Sequence, residues 1–345
     1  MIGVGPLVDA VTANAHGSLP PRTAAQLLVD VQRAKVQALS GTVVATTDLG
    51  LPELPALGGH GGDQASFSSL VSGSHTMRVW YDGPGRVRLA LLGQLGESDL
   101  VRNGPDVWAW SSHDNTATHW RVSPHQSAGP LSPESPAGPA MTPQQAAEAA
   151  LKAIDPTTRV TTDPGAEVAG RSAYQLDLVP RDSRSLIGSV RIAIDGSTHI
   201  PTRVQVFARG ASSPAFQVGY TSFSTATPSA SVFGFRPPPG ATVKEGNRDQ
   251  MRPDGHLKSP SSAAPQVVGK GWTSIVVTHL PQAKGQDAGT LLPTALLKSL
   301  PAVSGSWGSG HLLRSSLLSV VLTDDGRVAV GAVAPQMLYD ALSGP

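Results

Sequence analysis

The sequence predicts an α+β protein that is mainly antiparallel β: an incomplete, half-open β-barrel clasped by helices, followed by a small C-terminal α+β domain. Three observations carry this prediction. Long stretches alternate apolar and polar residues with the period of two that marks half-buried strands. Turn signals such as Asp82-Gly83-Pro84-Gly85 and Asn103-Gly104 separate these stretches, so neighbouring strands pair as hairpins. Only two helical patterns interrupt the alternation, too few to cover a sheet of about ten strands.

The first helix is predicted over residues 23–39. It opens at Thr23, which has capping-box spacing to Gln26, and its apolar residues recur at helical period. The second helix begins at the N-cap Thr142 and is stopped by Asp155-Pro156. Each helix has one apolar face, which must pack on the sheet.

The alternating strands present one apolar face, which the curvature of a half-barrel makes concave. This pattern continues through Phe233 and Phe235, just before three prolines, so these residues are predicted to end the meander. A register error of one residue would turn any strand over. The predicted concave, ligand-lining residues are Met77, Val79, Val87, Leu89, Leu91, Trp110, Tyr174, Leu176, Leu178, Val190, Ile192, Val204, Val206, Phe216 and Val218.

Four regions are predicted along the chain. Residues 1–19 form a tail or the remnant of a signal or membrane anchor, with Ala13-Asn14-Ala15 as a small-x-small site but no basic region before it. Residues 20–245 form the half-barrel domain, and the polar, Pro/Ser-rich residues 246–266 form a linker. Residues 267–345 form the small domain, with strands at 274–280, 317–322 and 328–333 and helices at 291–300 and 335–342.

Composition excludes several functions. A net charge of +1 provides no basic surface for nucleic acid, and the absence of cysteine excludes disulfides, thiolate metal sites and a cysteine nucleophile. There is no G-x-S-x-G elbow and no phosphate-binding glycine loop, and most carboxylates sit in turns, so the sequence implies neither an enzyme nor a cofactor. One predicted turn is flanked by His113, Asp114 and His119. These side chains could bind a metal ion together, but side chains beside a hairpin turn are more often simply solvated, and that interpretation is favoured.

The segment 48–74 combines apolar side chains with many glycines and prolines. Such a segment needs a place to bury its side chains, either as a lid over the concave face or as a loop packed permanently on the core. The predicted lid residues are Leu51, Leu54, Leu57, Phe67 and Leu70.

Four tryptophans lie within the first hairpins: Trp80, Trp108, Trp110 and Trp120. They either line the groove or belong to the ordinary core, since buried aromatic pairs stabilise sheets in any case.

Three segments resemble the LolA-like family of periplasmic lipoprotein carriers and the sigma-factor regulators of the RseB/MucB type. Residues 23–43 are similar to the family's opening helix and strand. Residues 190–206 (VRIAIDGSTHIPTRVQV) resemble its strand-turn-strand, and residues 231–243 (SVFGFRPPPGATV) resemble its closing Phe-x-Phe segment. The resemblance covers roughly residues 20–245. The Gly/Pro/Ala-rich composition is typical of an actinobacterial protein.

The resemblance implies an extracytoplasmic binding protein of the cell envelope, exported or anchored at its N-terminus. Its expected ligand is a lipid or the acyl chain of a lipoprotein. A chain of ~16 carbons at roughly 0.8 kcal/mol per CH₂ would contribute on the order of 10 kcal/mol before ordering costs.

The alternative is a regulator that senses lipid and contacts a membrane-bound partner, such as an anti-sigma factor or a transporter, through residues 265–345. A hydrolase is the least favoured alternative.

Overall fold

The structure is a computed structural model that describes residues 19–50, 73–93, 96–122, 142–143, 145, 147, 156–246, 265–279 and 299–344. Within these residues the chain forms a twelve-stranded and a six-stranded sheet. The large sheet contains β1 (Ala38–Thr47), β2 (Gly73–Asp82), β3 (Arg86–Leu92), β4 (Glu97–Asn103), β5 (Asp106–Ser111), β6 (Thr116–Arg121), β7 (Thr158–Val168), β8 (Arg171–Pro180), β9 (Ile187–Asp195), β10 (Pro201–Ala208), β11 (Pro214–Ser224) and β12 (Thr242–Glu245).

The large sheet consists of two meanders that meet at its centre. Its strand order is β12-β6-β5-β4-β3-β2-β1-β11-β10-β9-β8-β7, so β1 pairs with both β2 and β11. In the described part of the chain, the edge strands β12 and β7 each have one neighbour, so the sheet is not a closed barrel. This confirms the predicted open, mainly antiparallel fold.

The first helix, α1 (Ala24–Arg33), begins as predicted but is shorter. Thr23 and Gln26 form both hydrogen bonds of the capping box. Ala38 and Leu39, which were assigned to the helix, belong instead to β1 and lie opposite Asp82 and Tyr81 of β2. Pairing with β2 overrides the helix propensity of these two residues, which is high for both alanine and leucine.

Only a few residues of the second helix are described. Pro143, Gln145 and Ala147 are helical, and Thr142 and Gln145 exchange capping-box hydrogen bonds of 3.0 and 3.3 Å. Ala147 is fully buried in the core of the large sheet. The predicted end of this helix lies outside the described residues.

The end of the large domain differs from the prediction. Phe233 and Phe235 do not continue the meander: a 3₁₀ helix (Ala230–Phe233) replaces the expected strand, and β12 then pairs in parallel with β6. The 3₁₀ helix contacts β3 and β4. The segment therefore crosses the sheet instead of extending it.

The small sheet contains β13 (Gln266–Val268), β14 (Ile275–His279), β15 (Ala302–Gly305), β16 (Gly308–Arg314), β17 (Ser319–Thr323) and β18 (Arg327–Gly331) in the order β13-β14-β18-β17-β16-β15. Helix α2 (Pro335–Ser343) packs on one face of this sheet. The glycine- and serine-rich segment around Trp307 forms the β15–β16 turn, and the Trp307 ring stacks on Tyr339 with centroids 5.6 Å apart.

Hydrogen bonds join the two sheets. The backbone N–H of Leu186 donates to the carbonyl of Ala332 at 2.8 Å, and the Trp272 indole N–H donates to Thr158 Oγ1 at 2.7 Å. No helix among the described residues is long and apolar enough to span a bilayer.

Candidate functional site

The concave face of the large sheet carries a continuous apolar belt. Residues directly opposite each other in an antiparallel pair point to the same side of a sheet. The register sets Leu176 opposite Ile192, Ile192 opposite Val204, and Val204 opposite Val218. The same relation carries the belt through β1 into the first meander. All the predicted groove residues except Trp110 lie on this belt: Met77, Val79, Val87, Leu89, Leu91, Tyr174, Leu176, Leu178, Val190, Ile192, Val204, Val206, Phe216 and Val218.

The belt is deeply buried except at one end. Leu91, Leu176 and Ile192 have no exposed surface, whereas Val206 and Phe216 are only half-buried. Phe216 lies opposite Thr47, the last residue of β1, and Thr47 lies opposite Gly73, the first residue of β2. The segment 48–72 therefore leaves and rejoins the sheet at the partly exposed end of the belt.

Helix α1 covers part of the concave face near β7 and β8. Its Leu27 is completely buried in the same core as the belt. Two hydrogen bonds fix the chain before the helix: the Tyr174 hydroxyl donates to the Pro20 carbonyl at 2.9 Å, and Thr162 Oγ1 donates to the Arg22 carbonyl at 3.0 Å. The cover is thus tied to two neighbouring strands of the second meander.

The belt offers few polar groups. Ser98 and Arg102 of β4 point to this side, and Arg102 uses its Nε to donate to the carbonyl of Gly104 at 3.3 Å. Burial raises the pKa of the Tyr81 hydroxyl, which lies opposite Leu39 and Val87. His75 of β2, which lies opposite Ala45, is a further buried polar residue on this side, so the belt is mainly but not wholly apolar.

The prediction that Trp110 lines the concave face is wrong. It lies opposite Asp99 and Ala117, on the convex side, where its ring is 6.4 Å from that of Phe235. The closing segment covers this part of the convex face, so β5 is apolar on both sides and its alternation does not reveal which side faces the core. Trp108 shares the convex side with Trp110 and also packs on Phe235. Of the four tryptophans, Trp120 alone faces the concave core.

His119 occupies the convex face beside β12. Its ring stacks on Trp108 with centroids 4.4 Å apart, its Nε2 is 2.9 Å from Asp106 Oδ1, and its Nδ1 is 3.3 Å from a carboxylate oxygen of Glu245. The hydrogen bond with His119 lowers the pKa of Asp106. These contacts attach β12 to the sheet and leave the histidine far from the belt.

The sequence patterns did not identify several residues of the belt, and the predicted lid residues fall in a part of the chain that the structure does not describe. Val43 and Tyr220 lie opposite each other and are buried on the concave side. Val43 and Ala45 are two residues apart and therefore share one side of β1, and this spacing is the signal that could have identified Val43. The predicted lid residues Leu51, Leu54, Leu57, Phe67 and Leu70 lie outside the described residues.

A second concave region lies where the small sheet meets the large one. This junction cleft has a volume of about 720 Å³. It is bordered by Asp182 and Arg184 after β8, by Val267 of β13, and by Met337 and Asp340 of α2. Val267 is 61% exposed, and within the described residues β13 pairs with β14 alone. The sequence patterns did not indicate this cleft, since its walls come from segments far apart in the chain.

No protein-family model and no curated protein matches the chain. Among solved structures, it is similar to the Pseudomonas aeruginosa MucA/MucB complex, at 16% identity over 92% of this chain and 96% of the other, with a TM-score of 0.44. A LolA superfamily protein from Nitrosomonas europaea matches at 11% identity over 62% of this chain and 99% of its own, with a TM-score of 0.24. At TM-scores below 0.5, these similarities establish neither function nor ligand.

Proposed function

We propose that the chain is an extracytoplasmic, non-enzymatic carrier that holds a lipid, or the acyl chain of a lipoprotein, against the apolar belt. The observation that carries the proposal is the continuity of the belt across both meanders, from Leu178 through Val204 and Val218 to Met77 and Leu89. A hydrocarbon chain needs such an apolar strip and no hydrogen-bonding partner.

The half-buried end of the belt is the proposed entrance. Val206 and Phe216 lie side by side there on β10 and β11, and the chain leaves β1 at the same end. An acyl chain entering here first contacts apolar side chains. It must then displace the parts of the protein that cover the buried belt, including helix α1. The ligand's binding free energy must exceed the cost of that displacement.

Replacing Val206 by Asn is expected to weaken acyl binding about fivefold or more. An amide buried without hydrogen bonds costs roughly 1–3 kcal/mol, and 1 kcal/mol corresponds to about a fivefold change in Kd. The measurement is native mass spectrometry for co-purifying lipid, together with titration of a fluorescent palmitoyl probe. Val44→Asn is the matched control, because Val44 is an equally half-buried strand valine on the convex side, opposite Thr76 and Gly219.

Two results would contradict the proposal. One is a wild-type protein that carries no lipid and does not bind the palmitoyl probe. The other is equal weakening by Val206→Asn and Val44→Asn, which would report a loss of general stability instead of a lost ligand contact.

The junction cleft favours a second candidate function, regulation through a membrane-bound partner. In the described part of the chain the outer edge of β13 has no neighbouring strand, so an extended peptide could add a strand there beside Val267. The sequence resemblance to the RseB/MucB type implies an anti-sigma factor as that peptide's source. In this candidate the belt senses lipid and the small sheet holds the partner.

Deleting residues 246–345 is expected to abolish partner capture if the chain is a regulator, and to leave it unchanged if it is a carrier only. The measurement is a pull-down of extracytoplasmic segments from candidate anti-sigma factors and transporters. The palmitoyl titration on the same truncated protein is the folding control, and loss of both activities would assign the effect to misfolding.

A further inference from the structure

The convex face of the large sheet holds a small polar cleft opposite the belt. Its volume is about 360 Å³. It lies across β2, β1 and β11, close to where the two meanders meet. Its side chains are hydroxyls, one cation and one aromatic ring: Ser40, Thr42, Ser222, Ser224, Arg78 and Trp80.

The strand register arranges these six side chains as two rows of three. Arg78, Thr42 and Ser222 lie opposite one another across β2, β1 and β11 in the first row. Trp80, Ser40 and Ser224 form the second row in the same way. Neighbouring strands are about 4.8 Å apart, so each row spans roughly 10 Å, the size of a small polar ligand.

A β-bulge shapes the cleft. The pairing of β1 with β11 shifts between Thr42 and Val43, and the Thr42 N–H donates to the Ser222 hydroxyl at 3.0 Å. A Cβ on Gly41 would lie 2.3 Å from the carbonyl oxygen of Ser222, so only glycine allows the two strands to approach this closely. Bulges occur at sheet edges, at barrel rims and beside active sites, where they re-aim a side chain or end the pairing.

The cation in the cleft has no neutralising partner. Arg78 is exposed, and in the described part of the chain it makes no hydrogen bond or ion pair. The nearby Arg88 differs from Arg78: it forms an ion pair with Asp99 at 2.5 Å, and its guanidinium lies 5.6 Å from the centroid of the Trp80 ring. The charges of Arg88 and Asp99 neutralise each other, whereas the positive charge of Arg78 is available to a ligand.

The hydroxyls beside Arg78 are also available. Over the ranges that the structure describes, the side-chain oxygens of Ser40 and Thr42 have no hydrogen-bond partner. Each can donate one hydrogen bond and accept two. A guanidinium beside free hydroxyls matches an anionic oxygen cluster, and Trp80 adds an aromatic wall for a carbon skeleton.

We propose that this cleft binds the phosphate group of a phosphorylated polyol. Arg78 pairs with the phosphate oxygens, Thr42 and Ser40 contact the remaining oxygens and ligand hydroxyls, and Trp80 packs against the polyol carbons. Arginine recognises phosphate through parallel N–H donors, which a lysine cannot reproduce. The same chemistry is offered by a soluble polyol phosphate and by the headgroup of a phospholipid.

The test titrates inositol 1-phosphate, and in a second arm vesicles of phosphatidylcholine with or without phosphatidylinositol, into the full chain. Arg78→Gln is expected to weaken binding at least about tenfold, the effect of losing one charge-assisted hydrogen-bonded contact. Arg78→Lys should restore only part of it. Arg314→Gln is the control, since Arg314 is also an exposed strand arginine without a described ion pair but lies in the small sheet.

Each outcome is decisive. Arg78-dependent binding of inositol 1-phosphate identifies a soluble ligand, and Arg78-dependent binding confined to the phosphatidylinositol vesicles identifies a headgroup. The vesicle arm is repeated with Val206→Asn, so that capture of acyl chains by the belt is recognised separately. No binding in either arm, or equal losses for Arg78→Gln and Arg314→Gln, would overturn the proposal, whatever the result for the acyl chain.

Discussion

Replacing Asp195 by Asn is expected to lower the free energy of unfolding by about 1–3 kcal/mol, the cost of leaving buried hydrogen-bond donors without their charged acceptor. The Asp195 carboxylate is 2% exposed and accepts hydrogen bonds from Arg171 Nε at 2.6 Å and from the backbone N–H groups of Ser197 and Thr198. The amide of Asn would turn a donor towards these donors and leave the Arg171 charge without its partner.

The same carboxylate gives this prediction a pH dependence. Burial alone would raise the pKa of Asp195, but the hydrogen bonds from Arg171, Thr198 and Ser197 outweigh it and hold the pKa well below its ordinary value. A carboxyl whose pKa is depressed in the folded state stabilises the fold above its unfolded pKa, roughly 3.9, and loses that contribution as pH falls through the folded pKa. The stability difference between wild type and variant should therefore be constant above about pH 5 and shrink below about pH 4.

Urea denaturation across this pH range measures both effects. Asp182→Asn is the control: hydrogen bonds with Arg184 lower the Asp182 pKa to about 2, yet this pair is solvent-screened, so little stability should be lost. Equal losses in the two variants, or a difference that does not narrow in acid, would show that Asp195 does not act through its buried charge.

Replacing Phe233 by Ala is expected to cost about 3–5 kcal/mol, because it removes a large side chain that is 1% exposed and leaves a cavity. Phe233 ends the 3₁₀ helix on the convex face, where Arg88 also donates to the carbonyl of Val232 at 3.3 Å. Losing this anchor should loosen the closing segment, including the contact of Phe235 with Trp108.

Denaturation monitored by tryptophan fluorescence tests this prediction. Val243→Ala, at a position of β12 that is 51% exposed, should change stability by no more than about 0.5 kcal/mol. A Phe233→Ala effect as small as that of Val243→Ala would mean that the closing segment does not contribute to the stability of the large sheet.

Period-two alternation predicted the inward side chains well where one face of the sheet is polar. In β8 and β9, Leu176 and Ile192 alternate with Gln175 and Arg191, and the observed burial follows the pattern. In β5 the pattern failed because both faces are covered: Val107 packs on the concave core while Trp110 meets Phe235 on the other side. Hydrophobicity alone cannot orient a strand that is buried on both faces.

The candidate clefts depended even more on long-range pairing. The polar cleft exists because Arg78, Thr42 and Ser222 are aligned by the pairing of β1 with both β2 and β11. Thr42 and Ser222 are 180 residues apart in the chain. No local pattern in the sequence reports such a neighbour, and register between distant strands is set only when the whole sheet assembles.

The sequence by itself determined the antiparallel strands, their turns, the capping box of α1, the N-cap at Thr142 and the inward orientation of nearly all the residues assigned to the concave face, because propensity, capping and alternation act over a few neighbouring residues. Tertiary structure alone decided that β1 joins two meanders, that the segment around Phe233 crosses the convex face, and that helix α1 ends before Ala38. These features depend on pairing and burial between distant segments, whose free energies outweigh the local preferences of the residues involved.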